Sequence, residues 1–510
     1  MSPQPAVHTR SSLRILPEQA DLRRPRRRSV ENPFLDEMQW PAQPQSDPPR
    51  ALRALSHIVD GGLCHRCGSC VGICPTGVLA VDAEAFPRIQ NLSACTDCDL
   101  CVKVCPGDEF NFEQANQERF GKAGNLIETH GHFTKAVIAY AADSAQRERG
   151  TSGGLVTALL LHLLETKEID GALIIGSDED KLWKGKPVIA RTPAEVLAAS
   201  KSKYAISPTN TLLSEIRNIE GRYAVVGLPC QIHGVIKAMR LDERLRKRIA
   251  LTVGLFCHAA IEHEAFEIIW DSLGDKAKRA VQFTSRIGKH PGAPHIELDD
   301  GTIYPVYFGD RQGYRPSSIE VINVLYRLYT PDRCLTCFDA LSEFADIAVG
   351  DPWLAPPEDD VEFMEGWTFA LLRTARGREF YEKAVAAGKL VDKEVTRGEA
   401  LSCNSIMATE KRWRAFRVIE TQRRQGKPIP HYQDHNLELP EHSGLQFIET
   451  ELHILTHIFC FMRALRGRLL RFFLGPIGYW LFWVNNKRRR FRDWRRDTSY
   501  WLRRKTVGRK

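Results

Sequence analysis

The first fifty residues lack any apolar segment and hold Pro and Arg instead, including Arg26, Arg27 and Arg28 after Pro25. No secretory signal peptide is expected from such a composition, and a twin-arginine signal would need the missing apolar stretch. Residues 1–50 read as a disordered tail. A membrane-spanning run is also missing near the C-terminus. The longest uncharged stretch there, Phe472 to Asn486, contains Gly475-Pro476 and falls short of the roughly 20 residues a spanning helix needs. Acidic residues almost vanish from Phe461–Lys510, where Asp493 and Asp497 stand against sixteen Lys and Arg. The net charge of +8 therefore hides an acidic body and a strongly basic tail. That asymmetry describes the tail's partner, not the chemistry of the core.

What the chain has in abundance is cysteine, fourteen in 510 residues. A disulfide scaffold belongs to short secreted chains, so close Cys spacing in a chain of this length points to metal. Cys64-His-Arg-Cys67-Gly-Ser-Cys70-Val-Gly-Ile-Cys74-Pro75 and Cys95-Thr-Asp-Cys98-Asp-Leu-Cys101-Val-Lys-Val-Cys105-Pro106 both read C-x2-C-x2-C-x3-C-P. Three thiolates at this spacing wrap one 4Fe-4S cubane, and the fourth, before Pro, ligates the other cluster. The expected sets are Cys64, Cys67, Cys70 and Cys105 for one cluster, with Cys95, Cys98, Cys101 and Cys74 for the second. The competing reading is a pair of zinc sites, but zinc asks for neither a third Cys at the same spacing nor a trailing Cys-Pro. Asp97, Asp99, Lys103 and His65 lie between ligands and read as solvated surface.

The length implies two or three domains. After residue 130 short apolar strands alternate with helices: Ala136–Tyr140, Gly171–Gly176, Tyr223–Gly227 and Ala250–Phe256 as strands, with Gly154–Glu165, Gln231–Arg240 and Ile261–Leu273 as helices. This predicts an α/β domain with a mostly parallel sheet covered on both faces. Thr151-Ser-Gly-Gly154 precedes a helix and suits either a phosphate or a plain N-cap by Ser152 or Thr151. Cys230 and Cys257 stand at carboxyl ends of strands, where open α/β sheets place ligands. With Cys334 and Cys337 they offer four soft ligands, enough for a third cluster, although ordinary buried cysteines explain the first two equally well.

Thr151-Ser-Gly-Gly154, Lys201-Ser-Lys-Tyr204, Gly227-Leu-Pro-Cys-Gln231, Gly254-Leu-Phe-Cys257 and Arg333-Cys-Leu-Thr-Cys337, leading to Asp346-Ile-Ala-Val-Gly-Asp-Pro-Trp353, occur in this order. In these motifs the chain resembles the beta subunits of the coenzyme F-420 (deazaflavin) hydrogenases and dehydrogenases, over about residues 60 to 375. Plant and cyanobacterial reductases acting on chlorophyll side groups share the fold. Their altered single-cluster module contrasts with the two complete Cys sets here, which disfavours a chlorophyll substrate. The resemblance implies a flavin, usually FAD, contacted by Ser152, Gly153, Gly154, Lys203 and Tyr204. It also implies a third 4Fe-4S cluster held by Cys230, Cys257, Cys334 and Cys337. A flavin trades single electrons for pairs, so clusters ending at a flavin form a wire with a converter. His258 is a candidate proton donor to substrate, with a structural His as the alternative. Asp351 reads as the end of a strand.

Residues 445–485 are rich in Leu, Phe and Trp and interrupted by Arg463, Arg466, Arg468 and Arg471, and the run from Lys487 to Lys505 is Arg-rich with interleaved aromatics. This suggests an in-plane amphipathic segment on an anionic membrane face, with partner docking as the alternative. Nucleic acid is not expected, because the acidic body offers no extended basic surface. The expected organisation is a tail (1–50), a two-cluster α+β ferredoxin-type domain (51–125), a flavin-binding α/β domain (130–400) and a helical basic extension (401–510). The expected protein is a cytoplasmic oxidoreductase, peripheral at the inner membrane face if the tail binds there. Its clusters and flavin would join a ferredoxin-like donor or partner subunit to a small organic substrate or deazaflavin coenzyme. The alternatives are a non-catalytic electron-transfer subunit and a membrane-tethered accessory protein of surface polysaccharide biosynthesis.

Overall fold

A computed structural model describes residues 48–488 except 125–127, 288–291, 308–315, 317, 354–364, 433–447, 449–450, 452–454 and 456. The N-terminal tail and the Arg-rich run beyond residue 488 lie outside the described residues.

The cysteine-rich module is two copies of one local geometry. In each motif the second residue after the first Cys and the residue after the second Cys turn left-handed: Arg66 and Gly68 at φ 56° and 85°, Asp97 and Asp99 at 53° and 61°. Those turns fold each triplet of Cys back on itself. They launch the short helices Ser69–Ile73 and Leu100–Lys103, after which Cys74-Pro75 and Cys105-Pro106 leave in another direction. The hairpin of β1 (Leu79–Val81) and β2 (Pro87–Ile89) and the helix Arg50–Asp60 close the module. Asp97 accepts from the Ala51 backbone N–H at 2.7 Å, at the start of that helix, and Asp99 pairs with Arg50 at 2.5 Å. Both carboxylates therefore have structural partners.

The body is built on β3 (Lys135–Ala141), β4 (Gly171–Ser177), β5 (Gly185–Ala190), β6 (Tyr223–Gly227) and β7 (Ile249–Leu255). A separate antiparallel meander follows, made of β8 (Ala280–Ile287), β9 (Ala293–Leu298) and β10 (Ile303–Pro305). The chain then returns to the main sheet as β11 (Ile347–Gly350), β12 (Thr368–Leu372) and β13 (Leu390–Glu394). Among the described residues the main sheet has eight strands in the order β13-β3-β12-β11-β7-β6-β4-β5. Its centre, β11-β7-β6-β4, is parallel, while the pairings on either side are antiparallel. The mostly parallel expectation thus holds for the centre alone. At one margin the link from β4 to β5 is too short for a crossover helix and can only turn back as a hairpin.

Both faces of the sheet are buried, which explains the continuous apolar strands. Along β6 the alternation is clean. Ala224 and Val226 face the helix Leu155–Glu165, whereas Tyr223 and Val225 face the layer that receives Ile73 and Val104 of the module. The module is therefore docked on the sheet's second layer. Arg217 donates to the carbonyls of Ile73 and Cys74, Lys237 to those of Cys105 and Glu109, and Arg333 to those of Pro106 and Gly107.

The segment assigned on charge to the extension is not all surface. The helix Ser405–Arg424 buries Ala408, Lys411, Arg412, Arg414, Ala415, Phe416 and Ile419 against the body. The helix Arg463–Leu474 docks through Arg466, at 2.7 Å from Glu262 and also paired with Glu264, and through buried Leu470. Among the described residues no helix is long and apolar enough to cross a membrane.

The module's backbone meets the body's at Gly72, where a Cβ would stand 2.0 Å from the Asn210 carbonyl oxygen. Backbone cannot rotate away as a side-chain tip can. We expect Gly72→Ala to cost about 1–3 kcal/mol and to lower the melting temperature by several degrees. Gly398→Ala, at a position with nothing within 4 Å, should leave it unchanged.

Candidate functional site

All fourteen cysteines are free thiols, and twelve of them fall into three neighbourhoods. Burial pushes the Cys64 thiol up to about 12, and the thiolates of Cys105 and Cys67 push the same way. Cys105, raised to about 11 first by burial, feels Cys67 in turn. Around the second set, burial raises Cys101 to about 12, helped by Cys74, Cys98 and Cys95. Cys105 thus acts electrostatically on the first motif's cysteines and Cys74 on those of the second. In the body, burial lifts Cys257 to about 12, with Lys411 opposing and Cys334 and Cys337 adding to it.

The three neighbourhoods adjoin in sequence. Cys70 is raised by burial and then by its own set, and also by Cys101 of the outer set. Cys230 is raised by burial and next by Cys67 of the inner set, ahead of Cys337, Cys334 and Cys257. At one end Cys98 is exposed to solvent. At the other, Cys257 and His258 line a cavity of about 770 Å³.

Iron–sulfur chemistry fits this donor set. Among the described residues no three His, Cys, Asp or Glu side chains are placed to hold a single metal ion. A tetrahedral zinc site, with Zn–S near 2.3 Å, would draw its sulfurs to within about 3.8 Å of one another. A cubane holds its thiolates farther apart, each on a different iron. A metal that takes the sulfur offsets this burial and deprotonates the thiol.

The surroundings supply compensating charge. Lys411 donates to the carbonyls of Cys257 and Asp339, both at 2.7 Å. Burial works against its charge, yet Cys337, Cys257, Cys334 and Asp339 hold its pKa above the ordinary value. Arg414 reaches His258 at 3.4 Å and His457 at 3.2 Å, and donates to the Cys334 carbonyl. His65, expected at the surface, points inward: burial, then the charges of Arg333, His233 and Lys411, push its pKa well below the usual range. Cys403 and Cys460 stand apart, the first accepting from Asn404 and the second donating to carbonyls of Tyr326 and Arg327.

The cavity opens at the carboxyl ends of β6 and β7, and Ser152, Gly154, Lys203 and Tyr204 line it. Gly153 packs behind, where a Cβ would meet the Ala139 carbonyl at 3.0 Å. Neither Ser152 nor Thr151 caps the helix Leu155–Glu165, whose N-cap is Gly154 at φ 75°. Ser152 is hydrogen-bonded to Asp351 instead, and Thr151 accepts from the Ser202 backbone N–H at 3.0 Å. No side chain caps the first helical turn, and Leu155, Val156 and Thr157 of that turn line the cavity. Burial pulls the Lys203 amine down to about 8. Its protons go to the carbonyls of Ala199, Ser200 and Lys201 at 2.8–3.2 Å.

Arg286 was not legible in the sequence. It projects from β8, in the Gln282–Pro305 region that no motif marks, and pairs with Asp351 at 2.8 Å. It also bonds the Tyr204 hydroxyl. Ser152, Asp351, Arg286 and Tyr204 thus form one chain of contacts joining the glycine loop, the end of β11 and the meander. Lys411 and Arg414 were hidden in a charge-rich stretch. Their available signal was spacing: they share a helical stripe with Ala408 and Ala415.

Several quoted motif residues serve architecture. Gln231 accepts from the Leu228 N–H and donates to the Ser207 carbonyl, each at 2.7 Å. Gly254 leaves room for Ser342, and Asp346 ties Thr252, Thr374 and Arg119 together.

The chain is similar to known proteins over most of its length. Residues 136–214 and 220–397 match the N-terminal and C-terminal parts of the coenzyme F420 hydrogenase/dehydrogenase beta subunit, and residues 56–106 match a 4Fe-4S dicluster domain. The chain is 27% identical over 339 residues to a coenzyme F420-dependent sulfite reductase of Methanocaldococcus jannaschii, covering 64% of this chain and 46% of that protein. It therefore spans less than half the length of that relative. It is 28% identical over 270 residues to the coenzyme F420 hydrogenase subunit beta of Methanosarcina barkeri, covering 52% of this chain and 83% of that one. A chain of the F420-reducing nickel–iron hydrogenase complex of Methanosarcina barkeri aligns with a TM-score of 0.46 at 25% identity, over 59% of this chain and 97% of that chain. With the family's two parts matched in order behind paired cysteine motifs, the chain belongs to the coenzyme F420 hydrogenase/dehydrogenase beta-subunit family and carries an N-terminal 4Fe-4S dicluster domain.

Proposed function

We propose that this chain is an iron–sulfur flavoprotein oxidoreductase. It takes electrons from a ferredoxin-like donor or partner subunit at the dicluster module. It delivers them, through a third 4Fe-4S cluster on Cys230, Cys257, Cys334 and Cys337, to FAD and a small organic substrate or deazaflavin coenzyme; the direction can reverse. A flavin, when bound, exchanges single electrons with clusters and electron pairs with organic molecules. The carrying observation is the order of the cysteine sets, from exposed Cys98, through the electrostatic influence of Cys101 on Cys70 and of Cys67 on Cys230, to Cys257 at the cavity.

The residues divide the work. The uncapped N–H groups after Gly154 favour an anionic phosphate, as helix N-termini do. Lys203 binds backbone carbonyls, so its role is to hold the loop before Tyr204 in shape and to leave a positive charge on the wall. Tyr204 and Arg286 offer a phenol and a guanidinium to a ligand at the same wall. His258, beside Cys257 and against the Tyr326 ring at 4.9 Å, is the candidate to hold a proton at the cluster end of the cavity. In this reading residues 51–125, 130–400 and 401–510 act as electron inlet, converter and extension, with the basic extension as the contact to the inner membrane face. A non-catalytic electron-transfer role is the second reading, favoured by the hydrogenase relative's being a named subunit. Turnover of the purified single chain with an artificial donor separates the two.

Anaerobic purification should return roughly twelve irons per chain and one flavin. Eight irons would remove the third cluster, and a colourless, zinc-loaded preparation would remove the whole reading. Cys257→Ala should drop the count to roughly eight irons while the dicluster signal persists in electron paramagnetic resonance. Arg286→Met leaves the largely buried Asp351 carboxylate with the Ser152 hydroxyl but without its cation. We expect it to cost about 3–5 kcal/mol in urea unfolding and to shed flavin, whereas R286M combined with D351N recovers much of the stability without recovering the flavin.

A further inference from the structure

The cavity and the C-terminal segment share a wall. His457 lines the cavity, and Cys460 in the helix Ile458–Phe461 bonds the Tyr326 and Arg327 carbonyls of the helix Ser318–Tyr329. Tyr326 and Arg327 line the cavity themselves. Ile406 and Trp353 both line it and are exposed, at 75% and 49%, so they stand at its mouth. Leu455 and Phe459, on either side of His457, are exposed as well, at 57% and 40%.

Beyond that wall the chain turns at Gly475 into a second helical stretch, 476–488. One face of the two helices holds the body: Leu469, Phe473, Leu474 and Phe482 pack on the core that includes Ile268 and Tyr329. The other face shows Phe472, Ile477, Trp480, Leu481 and Trp483 to solvent, with Lys487 5.5 Å from the Trp483 ring. No acid occurs between Arg463 and Arg492, and of the nine Lys and Arg there only Arg463 and Arg466 are paired with acids of the body, Asp332 for the first and Glu262 and Glu264 for the second, among the described residues. Tryptophans beside a one-signed basic run on an outward apolar face match an anionic lipid interface: rings at headgroup level, cations on phosphates. An acidic protein surface would satisfy the charge but not the aromatic face.

We propose that this outward face docks the protein on an anionic phospholipid bilayer, with the cavity mouth at Ile406 and Trp353 turned to the same surface. What enters the cavity then enters from the lipid side. The inference rests on the cavity being the reaction site, but docking itself does not need the clusters.

The test uses the full anaerobic holoprotein. Flotation with vesicles of phosphatidylcholine alone or with phosphatidylglycerol is followed by hydrogen exchange on the bound state. We expect binding to phosphatidylglycerol vesicles at least about tenfold above phosphatidylcholine and lost at high salt. Bound protein should show protection over both 455–488 and 402–410. W480E/W483E, with iron content unchanged, should abolish flotation. Equal binding to both vesicles, or none, overturns the proposal. So does protection confined to 455–488, which would turn the mouth away from lipid, or retention on heparin without vesicle binding. Iron and flavin counts report separately on the redox reading, so either can fail alone.

Discussion

Everything in this fold depends on gathering cysteine sulfurs, most of them covered by protein, into close neighbourhoods. Burial alone drives these sulfurs toward the neutral thiol, as Cys64, Cys101 and Cys257 show. A metal takes the proton's place only where other charges and dipoles share the cost of desolvation. The chain provides them from outside the cysteine motifs. Arg217, Lys237 and Arg333 reach from the body to carbonyls at the ends of the cysteine helices. Lys411 and Arg414 come from a helix seventy residues and more beyond Cys337. The module and the body are therefore one electrostatic unit, although their sequences read as separate domains.

That constraint also explains the close seams. Electron transfer needs the cysteine sets adjacent, so backbones must meet without side chains between them. Gly72 against the Asn210 carbonyl is where this happens, with 2.0 Å between an imagined Cβ and that oxygen, and Gly234 leaves room in the same way for the Ser69 hydroxyl at 2.0 Å. Asn210 finishes the seam as a donor: its N–H goes to the Cys67 carbonyl at 3.0 Å, and its side-chain amide donates to the Ser69 hydroxyl and the Gln231 carbonyl.

How far the sequence could be read follows from the same physics. Ligand spacing is local, because a cubane dictates where neighbouring thiolates must stand, so the paired motifs of the dicluster domain were visible in the chain. The buried strands were visible for a similar reason, since a strand covered on both faces has no polar positions to blur it. Charge compensation is not local. Arg286 lies on a meander with no motif, and Asp351 took on meaning only when β8 was seen to bring that guanidinium beside it. His65 looked like surface because its burying partners, Arg333, His233 and Lys411, are all more than 160 residues away in the chain.

The basic C-terminal fifth shows why a charge run cannot be assigned to one role by composition. Its cations divide by depth. Arg412 and Arg414 are buried at 3% and 0% exposure, where each has specific carboxylate, imidazole or carbonyl partners. Arg466 is buried too and is held between Glu262 and Glu264. Outward of these the side chains change character, to Trp480, Trp483, Lys487 and Arg488, which have solvent on one side. A guanidinium inside such a protein is fixed by geometry and insensitive to salt, whereas one outside is screened within about 10 Å at 0.1 M salt. The same residue type thus stabilises the cysteine-bearing core in one turn of chain and offers a salt-dependent contact a few turns later. Depth, set by where the helices lie against the body, decides which.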